Sequence, residues 1–502
     1  MKVNWKKLQN GSDIRGIALE GVKGELVNLT SEVVEVLGKS FTQWLRTKGF
    51  KNVNIAVGMD SRISGNALKA AFSKGIIDSG ANVFNCGLAS TPAMFMATLS
   101  DNISVQGGVM LTASHLPFNR NGLKFFTKHG GLDKADISDI LAIAEKNDFG
   151  TVASKGEERA YDFISEYSNQ LVNNIRAKVN SARSYNEPLA GTKIIVDAGN
   201  GAGGFFANKV LLPLGADISG SQFLNPDGRF PNHIPNPEDP DAMDSICKAV
   251  LENKADLGII FDTDVDRSAI VDNTGKPINR NALIALISSV ILEEHPGSTI
   301  VTDSITSDGL AWFINHKLKG KHHRFKRGYK NVINEAIQLN KAGEESWLAI
   351  ETSGHAALKE NFFLDDGAYL VAKLLIKMAQ LRNHNKNLSN LISDLPHPVE
   401  SKEFRLKINS SDFLTYGNTV IKKLQSLVNS IDGWEKEEVN FEGIRVKCLN
   451  SNEQGWFLLR MSLHDPVMPL NIESNVTGGV NKIKHKFKSL LSEFEFLSSD
   501  VL

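Results

Sequence analysis

"GGVMLTASHLPFNRNGLKFF", Gly107–Phe126, starts as a short apolar run and breaks at Thr112 into a connection that carries a hydroxyl, an imidazole and then an amine. The run GVMLTASH reads as a β-rich segment with polar residues at its carboxyl end, where Thr112, Ala113, Ser114, His115 and Pro117 follow one another. Asn121, Gly122 and Lys124 then lead into Phe125 and Phe126. The same pattern recurs in VNIAVGMDSR (Val53–Arg62), KIIVDAGNGAGG (Lys193–Gly204), DLGIIFDTDVDR (Asp256–Arg267), STIVTDSITS (Ser298–Ser307) and WLAIETSGH (Trp347–His355). Helix-like stretches lie between them, among them Thr30–Gly49 and Asn66–Gly80. Strands alternating with amphipathic helices imply α/β architecture with largely parallel or mixed sheets. Ligands in such sheets gather where the carboxyl ends of the strands open into loops, which is where these polar segments fall.

At 502 residues the chain exceeds one ordinary core, and length alone suggests about three or four domains. Polar or turn-rich stretches at Asn147–Ala160 and Asp272–Asn281, and the proline-bearing break at Ser393–Phe404, mark the boundaries. They divide the chain into modules 1–154, 155–275, 276–395 and 396–502, the last a smaller α+β domain. An apolar fraction of 41%, a charged fraction of 23% and a net charge of -1 describe a soluble globular protein. They supply no broad pull toward nucleic acid or an anionic membrane. Cys86, Cys247 and Cys448 match no metal or disulfide spacing and read as buried thiols in a reducing compartment. The amino-terminal stretch has no signal-peptide core, and the longest apolar run, Ala282–Leu292, is shorter than the ~20 residues that span a bilayer. The expected location is cytoplasmic.

Asp262, Asp264 and Asp266 alternate in FDTDVDRSAIVD. On an extended segment such residues face one side, and three carboxylates together imply a cation; the alternative is an acidic solvated turn. All-oxygen ligation suits a hard ion such as Mg²⁺. An EF-hand is excluded, because Arg267 and Asn273 stand where that loop needs Gly and Glu. In ETSGH, Glu351, Ser353 and His355 surround Gly354 and offer donors and acceptors to a polyhydroxylated ligand. A turn with Ser353 as a helix N-cap explains the segment equally well. Arg460 and Ser462 can hold a phosphate through a guanidinium fork, a hydroxyl and backbone N–H groups, although an ordinary surface loop explains the segment equally well when it is read alone. Arg15 and Lys330 are basic residues beside glycines, and each in isolation reads as a surface charge. For the opening stretch, a hydrolase Ser–His pair fails, since adjacent residues on an extended chain point apart and no GxSxG elbow is present. A phosphoryl group on Ser114, facing the aspartate-bound metal with Lys124 nearby, uses both loops together and gives the scattered basic residues a task.

Taken in order, these motifs resemble the α-D-phosphohexomutase superfamily over nearly the whole chain, and within it the phosphomannomutase/phosphoglucomutase family. The phosphoserine loop T-A-S-H-N-P…N-G-x-K matches Thr112–His115, Pro117, Asn121, Gly122 and Lys124. The metal loop D-G-D-x-D-R matches Asp262, Asp264, Asp266 and Arg267, and the sugar loop G-E-x-S-G-H matches Glu351, Ser353, Gly354 and His355. The phosphate loop R-x-S-G-T-E-P is kept only in Arg460, Ser462 and Pro466. Further matches are GSDIRG, VGMDSRISG, LASTPA, VDAGNGAGG, PDGRFPNHIPNPE and RGYKNV.

The resemblance implies three similar α/β modules with mixed sheets plus a smaller C-terminal α+β domain around a central active-site cleft. It implies a phosphoserine enzyme that interconverts hexose 1-phosphate and hexose 6-phosphate through a hexose 1,6-bisphosphate, which also serves as primer. Mg²⁺ would be bound by Ser114, Asp262, Asp264 and Asp266. Catalytic work would fall to Ser114, His115, Lys124, Arg267 and His355, and substrate binding to Arg15, Lys330, Glu351, Ser353, Arg460 and Ser462. The expected partners are small hexose phosphates, mannose or glucose, with neither nucleic acid nor membrane, for a monomer or small homo-oligomer. Phosphoglucosamine mutase, a non-catalytic sugar-phosphate binder and a sugar phosphatase are the competing readings.

The chain departs from the pattern at Thr263, where the family has Gly, and at Ile350, before Glu351. It departs again at Leu463, His464 and Asp465 of the phosphate loop, and at Pro469, near a position where many members carry a second arginine.

Overall fold

The computed structural model describes residues 3–182, 184–462, 465–498 and 500–502, so Leu463 and His464 lie outside the described residues. The chain forms two compact units, Met1–Asn279 with Ser353–Asn390, and Arg280–Thr352 with Leu391–Leu502.

The first unit opens on a mixed sheet. Strands Gly107–Leu111, Asn54–Met59, Asn82–Leu88 and Glu158–Ala160 run parallel, and Arg120–Thr127 and Asp13–Ile17 add antiparallel beyond Gly107–Leu111. The opening stretch is thus a strand, a loop and a returning strand. Helix Ser31–Thr47 starts where the Thr30 hydroxyl accepts from the Val33 N–H. Val33, Leu37, Phe41, Trp44 and Leu45 recur at helical spacing and are buried on the sheet with Phe72, Ile76, Ile55, Val109 and Phe125. This helix crosses Gly65–Asp78 at two glycines. A Cβ on Gly38 would stand 2.3 Å from the Phe72 carbonyl oxygen, and one on Gly75 would stand 2.1 Å from that of Glu35.

A second mixed sheet in the same unit pairs Ile194–Asp197 in parallel with Leu257–Phe261, which continues antiparallel into Ser268–Asp272 and Pro277–Ile278. Within the turn-rich stretch Asp272–Asn281, residues Pro277–Ile278 pair back onto Ser268–Asp272 as a hairpin of this sheet. The hairpin Ala356–Leu358/Leu364–Asp365 and helix Gly367–Arg382 complete the unit. Tyr167, on helix Phe163–Val179, donates to the buried Asp366 carboxylate at 2.7 and 2.8 Å.

In the second unit, strands Lys321–Arg324, Thr299–Thr302 and Ser346–Ile350 are parallel. The C-terminal sheet, in the order Glu400–Lys407, Val467–Ser474, Gly455–Leu459, Ile444–Cys448, Trp434–Lys436, is antiparallel throughout. Its apolar face buries Leu406, Val446, Phe457, Leu459, Met468 and Leu470 against Val420, Leu424, Ile483 and Phe487. The fold class expected from the sequence is the one observed. Among the described residues no helix is long and apolar enough to cross a membrane.

Candidate active site

The three aspartates sit in the turn between Leu257–Phe261 and Ser268–Asp272, and each offers an oxygen within 4.8 Å of the others. Strand alternation does not bring them together. The chain turns, with Val265 left-handed at φ +67 and the Val265 N–H donating to the Asp262 carbonyl at 3.4 Å. The left-handed residue is thus Val265, and the branched Thr263 is accommodated. Its carbonyl accepts from the Ala202 N–H at 2.8 Å, and a Cβ on Gly201 would lie only 2.7 Å from that oxygen.

All three carboxylates are buried. Lys124 Nζ lies 2.9 Å from Asp264 Oδ2 and also bonds Asp266, while Arg267 donates to Asp262 Oδ2 through Nε at 3.2 Å and Nη2 at 3.0 Å. Burial, then the Asp266 and Asp264 charges, raise the Asp262 pKa well above the carboxylate range. At Asp266 burial acts the same way, but Lys124, His355 and Arg267 outweigh it and the pKa falls below the usual range. Asp264 Oδ1 and Asp266 Oδ1 are buried without a hydrogen-bond partner among the described residues. Three hard oxygen donors, two with unused acceptor atoms, fit a divalent hard cation.

Ser114 faces this cluster. Its φ of +51 turns the chain, and its N–H donates to Thr112 Oγ1 at 2.9 Å. Ser114 Oγ donates to Asp262 Oδ2 at 3.0 Å and accepts from Arg267 Nη2 at 2.9 Å. The adjacent side chains do meet, contrary to the extended-chain expectation: Ser114 Oγ is 3.3 Å from His115 Nδ1, because the left-handed residue swings both to one side. His115 Nδ1 is also 2.6 Å from Arg267 Nη2. Burial, then the Arg267 and Arg15 charges, push its pKa down to about 2, which leaves a neutral ring.

The loop is held from beneath by Arg62, whose guanidinium donates to the carbonyls of Ser114, Leu116 (2.6 Å), Pro117 (2.7 Å) and Arg120 (3.0 Å). Arg15, opposite Gly122 in register, pairs with Asp13 at 3.0 Å and reaches the Ala113 carbonyl at 3.4 Å.

His355 follows Gly354, whose φ is +94, and a strand rather than a helix comes next, so Ser353 is not an N-cap. Ser353 Oγ is buried without a hydrogen-bond partner among the described residues. The His355 backbone pairs with that of Arg267 in an isolated antiparallel bridge, and its ring Nδ1 is 2.5 Å from Asp365 Oδ2 and 3.9 Å from Asp266 Oδ1. Burial opposes a charged ring, yet Asp365 and Asp266 prevail and raise the pKa to about 9.

Glu351, Lys330, Arg460 and Ser462 belong to the second unit. Glu351 Oε1 accepts from the Gly328 N–H at 2.6 Å, which fixes the turn ahead of the helix Tyr329–Lys341 that bears Lys330. Arg460, buried at the end of Gly455–Leu459, donates through Nη1 to the Met461 carbonyl at 3.2 Å, and its Nε lacks a hydrogen-bond partner among the described residues. Ser462 Oγ accepts from the Asp465 N–H at 3.3 Å.

Three family descriptions match in succession: phosphoglucomutase/phosphomannomutase alpha/beta/alpha domain I over residues 6–151, domain II over 165–275 and domain III over 279–399. A phosphoglucomutase of Neisseria meningitidis serogroup A is 30% identical over 95% of both chains. The chain belongs to the phosphoglucomutase/phosphomannomutase family. A phosphomannomutase/phosphoglucomutase of Pseudomonas putida is 28% identical over 96% of both chains. The crystal structure of a phosphoglucomutase/phosphomannomutase family protein from Burkholderia thailandensis superposes with a TM-score of 0.78 at 26% identity, covering 98% of each chain. This chain is accordingly a phosphohexomutase, an isomerase, of the α-D-phosphohexomutase superfamily. Sequence reasoning left Asp365, Arg62 and Thr91 without roles. Thr91 donates to Asp264 Oδ2 at 2.5 Å. VGMDSRISG and LASTPA contain two of the three, so the signal was present as motif without function.

Proposed function

We propose that this phosphohexomutase interconverts the 1- and 6-phosphates of glucose and mannose through phosphorylated Ser114 and a hexose 1,6-bisphosphate, which also primes the serine. The observation that carries the reading is the position of Ser114 Oγ, in hydrogen-bond contact with both Asp262 and Arg267 at the edge of the aspartate turn. The printed names of the Neisseria and Pseudomonas relatives support glucose and mannose as the sugars.

Asp262, Asp264 and Asp266, with an oxygen of phosphorylated Ser114, would hold Mg²⁺, which when bound neutralises charge on the transferring phosphoryl group. In the first half-reaction the P–Oγ bond of Ser114 breaks and a P–O bond forms to the free sugar hydroxyl. The hydroxyl proton ends on Ser114 Oγ, so one phosphoryl group and one proton change places. The second half-reaction is the reverse at the other sugar oxygen, after the bisphosphate has turned over. Arg267 Nη2, already donating to Oγ, stabilises the charge that develops there as the bond breaks. His115, kept neutral, orients Oγ together with Arg267. His355, kept protonated by Asp365, and Lys124 move the proton at the sugar oxygens. Glu351 and Ser353 read sugar hydroxyls, and Arg15, Lys330, Arg460 and Ser462 take phosphate oxygens.

The test is Mg²⁺-dependent conversion of glucose, mannose and glucosamine 1-phosphates to their 6-phosphates, primed with a trace of hexose 1,6-bisphosphate, beside Ser114→Ala. Turnover of glucose and mannose 1-phosphates that Ser114→Ala abolishes is the expected result. Turnover of glucosamine 1-phosphate alone would overturn the sugar assignment. Phosphate release outpacing isomer formation would make the protein a phosphatase, and binding without turnover a sugar-phosphate binder.

A further inference from the structure

The loop between Trp434–Lys436 and Ile444–Cys448 reads EEVNFEG, Glu437–Gly443. It is anchored on either side of Glu442. Gly443 has φ +60, and a Cβ there would lie 2.1 Å from the Leu459 carbonyl oxygen and 3.0 Å from Arg460 Cβ, so the loop lies flat on the strand end that bears Arg460. Phe441 packs its ring 5.0 Å from Phe325 and 5.3 Å from His323. Between these anchors Glu442 turns inward. Its Oε2 accepts from the Ser304 hydroxyl and, at 3.2 Å, from the Arg327 N–H. Burial lowers the Arg460 pKa, and the Glu442 carboxylate is the foremost charge opposing that effect, ahead of Glu403 and Asp303.

A hydroxyl, a backbone N–H and a buried guanidinium with an unused Nε form the donor set that holds a phosphate oxygen. Here they face a carboxylate supplied by the chain itself. We propose that Glu442 is a resident anion of the phosphate grip, docked among Ser304, the Arg327 amide and Arg460, which the substrate's non-reacting phosphate must expel by lifting the Asn440–Gly443 loop. The inference rests on the proposed role of Arg460 in holding that phosphate. Two anions cannot share these donors at contact distance, so docking of Glu442 and binding of phosphate exclude each other. Apparent affinity is then lowered by the fraction of molecules in which Glu442 is docked.

The experiment uses the full chain and inorganic phosphate and glucose 1-phosphate as calorimetric probes. Glu442→Gln keeps the side-chain shape and removes the charge, and it should tighten both probes by about tenfold. The gain should vanish in an Arg460→Gln background, where binding is weakened with or without Glu442. Unchanged or weaker binding by Glu442→Gln, with Arg460→Gln still impaired, would overturn the resident anion and leave the role of Arg460 standing. Arg460→Gln binding as tightly as the unaltered protein would remove that role, and this inference with it. Hydrogen exchange in the unaltered protein gives a reading that needs no variant. Amides of residues 437–443 should exchange faster when glucose 1-phosphate is added, and unchanged or slower exchange refutes displacement of the loop.

Discussion

His355 and Asp365 close on each other at 2.5 Å across a short hairpin, and the same aspartate accepts from the Ala356 N–H at 3.1 Å. Asp365 thereby fixes the ring orientation and keeps the ring charged in a buried setting where it would otherwise shed its proton. The proposed role of His355 in moving a proton at the sugar oxygens needs both properties. Asp365→Asn keeps the size and removes the charge, so kcat should fall about 100-fold with KM little changed. Steady-state conversion of hexose 1-phosphate measures it, and a retained kcat would show that His355 works without this partner.

Arg62 serves the Ser114 loop in a way lysine cannot copy. Four carbonyls converge on one planar fork, and Asp60 balances its charge at 3.3 Å. Arg62→Lys should leave two or more of those carbonyls unsatisfied and let the loop drift. Turnover should fall at least about tenfold, since small misplacements of a reacting group are costly. Phosphorylation of Ser114 by the bisphosphate, followed by intact mass, should slow in parallel.

The aspartate turn predicts a response to metal that needs no turnover to observe. Three buried carboxylates are opposed mainly by Lys124 and Arg267, so a divalent cation should stabilise the folded chain. At a Mg²⁺ concentration 100 times Kd the gain is about 2.7 kcal/mol, visible as a rise in Tm that chelation reverses. Asp264→Asn should lose most of that rise together with activity. A Tm indifferent to Mg²⁺ in the unaltered protein would count against the turn as a metal site.

The parts of this architecture that follow from local pattern were legible before any coordinates. Apolar runs ending in polar loops gave the sheets, and the spacing of Asp262, Asp264 and Asp266 marked an acidic cluster. Their actual convergence depends on one left-handed residue, Val265, and the meeting of Ser114 with His115 on another, Ser114 itself. Backbone excursions of that kind have no periodic signature in a non-glycine residue. Asp365 and Glu442 were missed for a different reason. Each lies beside a partner that only the folded chain brings near, His355 across a hairpin for Asp365 and Arg460 at the end of the neighbouring strand for Glu442. The phosphate loop departs from the family pattern at Leu463 and His464, and both lie outside the described residues.

The helix crossing at Gly38 and Gly75 is testable by stability alone. In most helix interiors Gly→Ala stabilises by up to about 1 kcal/mol. At Gly75 the new Cβ would stand 2.1 Å from the Glu35 carbonyl oxygen, so the helices must separate. Overpacking of this kind costs about 1–3 kcal/mol, which reverses the usual sign. Gly75→Ala should therefore lower the denaturant midpoint, whereas Gly→Ala at an uncrowded helical site would not.

Glu473 links stability of the C-terminal sheet to pH. Burial raises its pKa to about 7, although Arg445 and the Trp456 Nε1–H, which donates to Oε2 at 3.0 Å, pull the other way. Arg445 is already engaged, 2.9 Å from both Asp308 and Glu437, and its guanidinium lies 3.6 Å over the Trp456 ring. A carboxyl whose folded pKa lies above its unfolded value favours the folded state while it is protonated. That contribution is complete below the unfolded pKa near 4.5 and is lost as pH rises through about 7. Glu473→Gln is neutral at every pH and lacks this loss. Between pH 5 and pH 8 the variant should gain up to about 3 kcal/mol over the unaltered chain, read from urea unfolding followed by tryptophan fluorescence. A stability gap that stays constant with pH would mean that Glu473 is ionised throughout, with Arg445 and Trp456 outweighing its burial.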